Sequence, residues 1–366
     1  MIDMQFPVLS YLNENGTLLP GYQSPLSDET LSKIYRTMLK TRLVDERMIT
    51  LQRQGIITFA LSSFGEEACS VASAAAIDAK DWMYPQYRES GIMFWRGFSI
   101  LQYVHQMFGD ALDIIRGRQM PNHFGSRALN VVHVSSPIGT KIPHAAGCAY
   151  AMKLQKEDSV AICYFGEGST SEGDFHLGMN FAAVRQVPVI FFCRNNGYAI
   201  STPTSRQFAS DGVAPKGIGY GIPAMRVDGN DIFAVYEAVS LARKQCREGK
   251  GPYLIEALTY RLGAHSTSDD PSVYRQDQEV EEWKKKCPLI RLRKYLEVKG
   301  LWNEQIETET NHSIAEEINQ AVEAGKQTAK PPLHSLIENV YFEIPQSLQE
   351  EYEEIYQTLV KISHFD

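Results

Sequence analysis

The 366-residue sequence contains no apolar run near the ~20 residues that span a bilayer. Its longest, residues 187–193, has seven, which argues against a membrane protein. None of the six cysteines (Cys69, Cys148, Cys163, Cys193, Cys246 and Cys287) forms a CxxC pair. They lie in apolar or helical settings and read as reduced packing residues. Positive charge is not in excess: 36 Lys plus Arg stand against 44 Asp plus Glu, a net charge of −8. A nucleic-acid binder needs a basic face, so that class is disfavoured. No cationic cluster opens the chain, the first basic residue being Lys33. Such a start fits neither a secretory signal nor an arginine-rich transit peptide. Together these absences predict a soluble, cytoplasmic protein. Two nucleotide motifs are also missing. There is no GxxxxGK[ST] loop, and Gly166-x-Gly168 is followed by Gly173 instead of a glycine at position 171.

What is present is alternation. About 150 residues per domain gives a prior of two to three folding units. Leu31, Ile34, Tyr35 and Met38 recur at helical spacing in a segment closed by Gly55. Residues 160–165, 187–193, 225–228 and 253–260 read as strands, with helices at 172–185 and 231–247 between them. Strand–helix–strand repetition predicts an α/β fold with a doubly wound, mostly parallel sheet. Residues 1–55 read as an N-terminal arm and helix, 56–287 as the α/β domain, and 288–366 as a C-terminal helical region.

Open α/β sheets bind ligands where the loops gather at the carboxyl ends of the strands. Those loops carry Gly166-Glu167-Gly168-Ser169, Arg194-Asn195-Asn196-Gly197-Tyr198 and Arg261-Leu-Gly-Ala-His265, with Tyr87-Arg88-Glu89 earlier. The first two flank one strand–helix–strand unit, so parallel pairing places Glu167 beside Asn196. A carboxylate and an amide carbonyl are hard oxygen ligands that suit Mg²⁺. Gly166 and Gly168 let backbone approach an anion, and a helix N-terminus follows. Arg88, Arg194 and His265 are donors of the kind that grip a diphosphate. Taken singly, each feature is ordinary: a turn, a polar loop, a structural ion pair, a hydrogen-bonded histidine. Their convergence on the strand ends of one unit describes a metal–diphosphate site.

The stretch from Gly166-Glu-Gly to the double Asn about 30 residues later resembles the signature of thiamine-diphosphate enzymes. Further strings extend the likeness, among them Gln86-Tyr-Arg-Glu-Ser-Gly, Gly117-Arg-Gln-Met-Pro, Arg226-Val-Asp-Gly-Asn-Asp and His265-Ser-Thr-Ser-Asp-Asp. As a set they resemble the alpha subunit of the decarboxylase component of branched-chain 2-oxo acid dehydrogenase complexes. The likeness covers nearly the whole chain and is weakest in the arm and after about residue 300. It implies Mg²⁺ ligation by Glu167, Asn196 and the Tyr198 carbonyl. It implies diphosphate contacts from Arg88, Arg194 and His265, helped by Tyr87 and the backbone around Gly168 and Ser169. Gln86 and Phe59 match positions near the thiazolium and the substrate side chain, and Ser136 and Ile138 match those that hold the bent cofactor. Eukaryotic members carry a potassium ion on that loop, with Gln as a ligand where this chain has Lys141, so a potassium site is not expected. Ser266 matches a serine phosphorylated in mitochondrial relatives; in a cytoplasmic chain it reads as a loop hydroxyl that helps hold His265. Residues 263–274, rich in Ser, Thr and Asp, are expected to be mobile without cofactor.

The resemblance implies oxidative decarboxylation of acids like 3-methyl-2-oxobutanoate and transfer of the acyl group to the lipoyl group of a partner acyltransferase. His265 is the candidate for assisting that chemistry. A separate beta subunit supplies the carboxylate that activates the cofactor, so an α₂β₂ heterotetramer is expected, with no nucleic-acid or membrane partner. Pyruvate- or acetoin-dehydrogenase alpha subunits and a non-catalytic cofactor-binding subunit remain the alternatives.

Overall fold

The computed structural model describes residues 6–363. In chain order the strands are β1 (Val8–Leu9), β2 (Trp82–Tyr84), β3 (Ala161–Gly166), β4 (Val189–Asn195), β5 (Tyr198–Ala199), β6 (Thr202–Pro203), β7 (Ala224–Asp228) and β8 (Tyr253–Leu258). The helices are α1 (Asp28–Arg53), α2 (Glu67–Ala75), α3 (Ser90–Trp95), α4 (Ile100–Phe108), α5 (Lys141–Gln155), α6 (Gly173–Arg185), α7 (Ala214–Gly219), α8 (Ile232–Arg247), α9 (Asp277–Lys285), α10 (Pro288–Val298), α11 (Glu304–Gln327) and α12 (Gln346–Ser363). None of these helices is long and apolar enough to cross a membrane.

Six strands form a sheet in the order β1-β7-β8-β4-β3-β2, every pair parallel. β5 and β6 form a small antiparallel hairpin. The central strands β3 and β4 are apolar along their length because helices cover both faces of a parallel sheet. Alternation of side chains divides their residues between two cores. Ile162, Tyr164, Ile190 and Phe192 join the core under α1, α2, α4, α8, α10 and α11. Cys163, Phe165, Phe191 and Cys193 join the core under α5 and α6. The cysteines are free, and five of the six are buried.

Local signals account for the helix starts. The Ser27 hydroxyl caps α1 by accepting from Thr30 N–H, with Asp28 and Glu29 in the first turn. Asp231 caps α8 by accepting from Phe233 and Ala234 N–H. The same Asp231 also accepts from Leu12 N–H at 2.7 Å, tethering the arm. The arm thereby supplies the edge strand β1, paired Val8 to Arg226, which its Pro/Gly/Asn-rich composition conceals. Arg291 of α10 reinforces the tether by donating to the Asn13 carbonyl at 3.1 Å while pairing with Asp228 of β7 at 2.7 Å.

Candidate active site

Register places the chemistry. Gly166 at the end of β3 pairs with Arg194 of β4, and Arg194 pairs with Ala257 of β8. Glu167 and Asn196 therefore leave neighbouring strand ends together. A cavity of about 160 Å³ opens there, lined by Gln86, Tyr87, Arg88, Ile138, Gly166, Glu167, Gly168, Ser169, Arg194, Asn196, Tyr198, Ala199, Ile200, Arg261 and His265. Gln86 ties β2 to this edge by accepting from Gly166 N–H at 3.0 Å. Gly168 must be glycine, since a Cβ would stand 2.8 Å from that of Ala199.

Glu167 is 1% exposed. Its oxygens accept only long hydrogen bonds of 3.4 Å, from Asn196 N–H and from Gln207 Nε2. Among the described residues it has no ion-pair partner, and burial raises its pKa. A buried carboxylate with spare lone pairs suits a divalent cation. Asn196 Oδ1 accepts from Tyr198 N–H at 3.2 Å, while Nδ2 donates to Glu66 at 2.7 Å. The described residues contain no cluster of three His, Cys, Asp or Glu side chains able to hold a metal. A cation here would rest on one carboxylate, an amide oxygen and a carbonyl, leaving positions for ligand oxygens, as Mg²⁺ prefers. Ser169 Oγ, buried at the cavity wall, has no hydrogen-bond partner in the protein. It fits an added acceptor such as a phosphate oxygen.

The three arginines differ. Arg194 is neutralised by Glu66 at 3.0 Å and by a close contact to Glu89. Arg88 donates to the Ser62 carbonyl at 2.7 Å and to the His265 carbonyl. Arg261 donates to the Ile200 carbonyl at 2.8 Å and to Tyr274 Oη at 3.1 Å. Neither Arg88 nor Arg261 has an ion-pair partner among the described residues, although both are buried. The guanidinium groups at the cavity without a direct ion pair are therefore those of Arg88 and Arg261. Sequence reasoning passed over Arg261 and Glu66. Arg261 had a visible signal, as a cation directly after a buried strand; Glu66 had a weaker one, as the first of two glutamates opening an apolar helix.

His265 Nδ1 lies 3.1 Å from Arg88, so Nδ1 accepts and the ring proton is assigned to Nε2. Burial, then the charges of Arg88 and Arg261, pushes its pKa down to about 3. At neutral pH His265 is an uncharged donor. Its loop carries several hydrogen bonds. Asp269 accepts from His265 N–H at 2.7 Å and from Tyr274 Oη at 2.6 Å, and Arg275 donates to the Gly263 carbonyl at 2.9 Å.

Three further residues named from the sequence do not line this cavity. Ser266 lines a second cavity of about 360 Å³ with Ser62, Phe64 and Thr267, and its hydroxyl accepts from Ser268 N–H at 3.3 Å. Ser136 pairs with His123 Nε2 at 2.6 Å. Phe59 is half-buried and, like Ser136, does not line the first cavity. Lys141 opens α5 half-buried, and burial lowers its pKa.

Fold and site thus describe an α/β protein with a cavity at its strand ends lined by one buried carboxylate, an amide, arginines and a histidine. Residues 35–334 match the family described as "Dehydrogenase E1 component". The chain belongs to this family. It is similar to 2-oxoisovalerate dehydrogenase subunit alpha 2, mitochondrial, of Arabidopsis thaliana, with 46% identity over 96% of this chain and 75% of that protein. The alpha subunit of the same name in Caenorhabditis elegans is 46% identical over 95% of this chain and 81% of that protein. That of Homo sapiens is 43% identical over 98% and 83%. These names overturn the cytoplasmic location expected from the sequence, because all three relatives are mitochondrial subunits and point to that compartment. A targeting address takes no part in the packed fold, so charge at the start of the chain was poor evidence for a compartment.

Proposed function

We propose that this chain is the alpha subunit of a branched-chain 2-oxo acid dehydrogenase using thiamine diphosphate and Mg²⁺. It decarboxylates acids like 3-methyl-2-oxobutanoate and acylates the lipoyl group of a partner acyltransferase. The observation that carries this reading is the buried Glu167–Asn196 pair in one cavity with Arg88 and Arg261, neither of them in a direct ion pair among the described residues, in a chain 43–46% identical to 2-oxoisovalerate dehydrogenase alpha subunits.

Glu167, Asn196 Oδ1 and the Tyr198 carbonyl would hold Mg²⁺. Arg88, Arg261 and His265 Nε2–H would bind the diphosphate, with Ser169 Oγ and the backbone of Gly166 and Gly168 alongside. Arg194 contributes mainly by ordering Glu66 and Glu89. Gln86 and Ile138 shape the wall towards the reacting end, with Tyr87 edge-on to His265 at 6.0 Å between ring centres. When bound, thiamine diphosphate supplies a nucleophilic carbon and an electron sink. The chain binds and orients it and excludes water. Glu167 is the only carboxylate among the lining residues. In the resembling alpha subunits the carboxylate that activates the cofactor belongs to a separate beta subunit, and no second carboxylate lines this cavity among the described residues. This supports a beta subunit and an α₂β₂ assembly. Lys141 puts an ammonium where a potassium ligand would be needed, so no potassium site is proposed.

The test is decarboxylation by the chain co-purified with its beta partner, using an artificial electron acceptor, with and without thiamine diphosphate and Mg²⁺. Cofactor-dependent turnover favouring 3-methyl-2-oxobutanoate over pyruvate supports the reading. A preference for pyruvate overturns the substrate, and inactivity of a cofactor-loaded complex overturns the enzyme.

A further inference from the structure

Glu66 lies between Gly65 and the first turn of α2 and is 1% exposed. Gly65 makes this placement possible: its φ is +90°, and a Cβ there would overlap the Tyr260 carbonyl oxygen. The two oxygens of Glu66 have separate duties. Oε1 accepts from Asn196 Nδ2 at 2.7 Å, and Oε2 accepts from Arg194 Nη1 at 3.0 Å. An asparagine amide presents a donor and an acceptor of nearly equal size, so its orientation is set only by neighbours that tell them apart. An ionised carboxylate accepts and cannot donate. Glu66 therefore binds the NH₂ end of Asn196 and leaves Oδ1 with the single 3.2 Å bond from Tyr198 N–H. A simple ion pair would not require this arrangement, because Arg194 already has Glu89 as a partner.

We propose that Glu66 is a positioning residue for the metal end of the site, fixing the Asn196 amide with Oδ1 turned towards the cation and using Arg194 to hold its own carboxylate in place. This rests on Asn196 being a metal ligand, as proposed above. Outer partners that orient a ligand commonly contribute about 10–100-fold to metal affinity.

The experiment is calorimetric titration of thiamine diphosphate into the alpha–beta complex at a series of Mg²⁺ concentrations. Glu66→Ala is expected to raise the Mg²⁺ concentration for half-maximal binding by roughly tenfold or more. Asn196→Asp alone sets two carboxylates against each other and weakens Mg²⁺-dependent binding. Adding Glu66→Gln restores a donor–acceptor pair and recovers it. An unchanged Mg²⁺ requirement in Glu66→Ala overturns the proposal, as does a double variant that binds no better than Asn196→Asp. Should Glu66→Ala fail to fold, the double variant read against Asn196→Asp decides alone. Cofactor binding by the wild type without any need for Mg²⁺ overturns the metal reading of the site, and this assignment with it.

Discussion

Arg88 and His265 are joined twice: the guanidinium donates to the His265 carbonyl and stands 3.1 Å from Nδ1 of the ring. A cation at Nδ1 excludes a second proton there, so the imidazole stays neutral and offers Nε2–H to the cavity.

The depressed pKa of His265, about 3, has a stability consequence of definite sign. Between pH 3 and the ordinary histidine value near 6.5, the unfolded chain binds a proton that the folded chain refuses. Stability is lost as pH falls through this window. His265→Gln removes that contribution, so its melting temperature is expected to fall less than the wild type's between pH 7 and pH 5. Turnover of the assembled complex should drop roughly tenfold, as expected for loss of one ligand-directed hydrogen bond. Wild-type turnover in this variant would confine His265 to a structural role.

Arg194 and Arg261 should respond differently to the same substitution. Arg194→Gln strands Glu66 and Glu89 in the interior and is expected to cost about 3–5 kcal/mol of stability. Arg261→Gln strands no carboxylate. It should weaken thiamine diphosphate binding roughly ten- to a hundredfold, the value of one charge-assisted hydrogen bond, with a smaller loss of stability. Denaturant titration and cofactor calorimetry on both variants distinguish the roles.

Glu167→Gln should abolish Mg²⁺-dependent cofactor binding while stabilising the metal-free chain by roughly 1–3 kcal/mol at pH 7. Burial raises the pKa of this carboxyl, so the folded state pays its desolvation penalty only once pH rises above the ordinary carboxyl range. The stability gain of the variant should therefore grow with pH and vanish in acid. Equal melting temperatures at pH 4 and pH 7 relative to wild type would contradict the assignment.

Asp231→Ala removes both the cap of α8 and the acceptor for the arm. A lost cap contributes about 0.5–2 kcal/mol and an orphaned buried N–H about 1–3 kcal/mol, so roughly 1.5–5 kcal/mol is expected in all. Hydrogen exchange should accelerate at Leu12, and chemical denaturation should give the total.

The unit from β3 through α6 to β4 was legible in the sequence because its determinants are local. Two apolar runs, a helix of matching length and short turns leave parallel pairing as the economical solution, and register then brings Glu167 to Asn196. The arm's strand was not legible, since two residues of edge pairing leave no periodicity to read. Nor was the pairing of Ser136 with His123, which depends on how two loops pack and not on strand register.

Sequence by itself therefore determined the α/β class, the strand-end loops and the meeting of Glu167 with Asn196, the last two encoded within about 30 residues. Tertiary structure alone decided how the charges are shared. Glu66 and Glu89 lie 128 and 105 positions from Arg194, a separation over which no local pattern carries information. Only the packed fold neutralises that arginine and leaves Arg88 and Arg261 to face the cavity. The same packing withholds a proton from His265, because ionisation depends on burial and on neighbouring charge, and both exist only once the chain is folded.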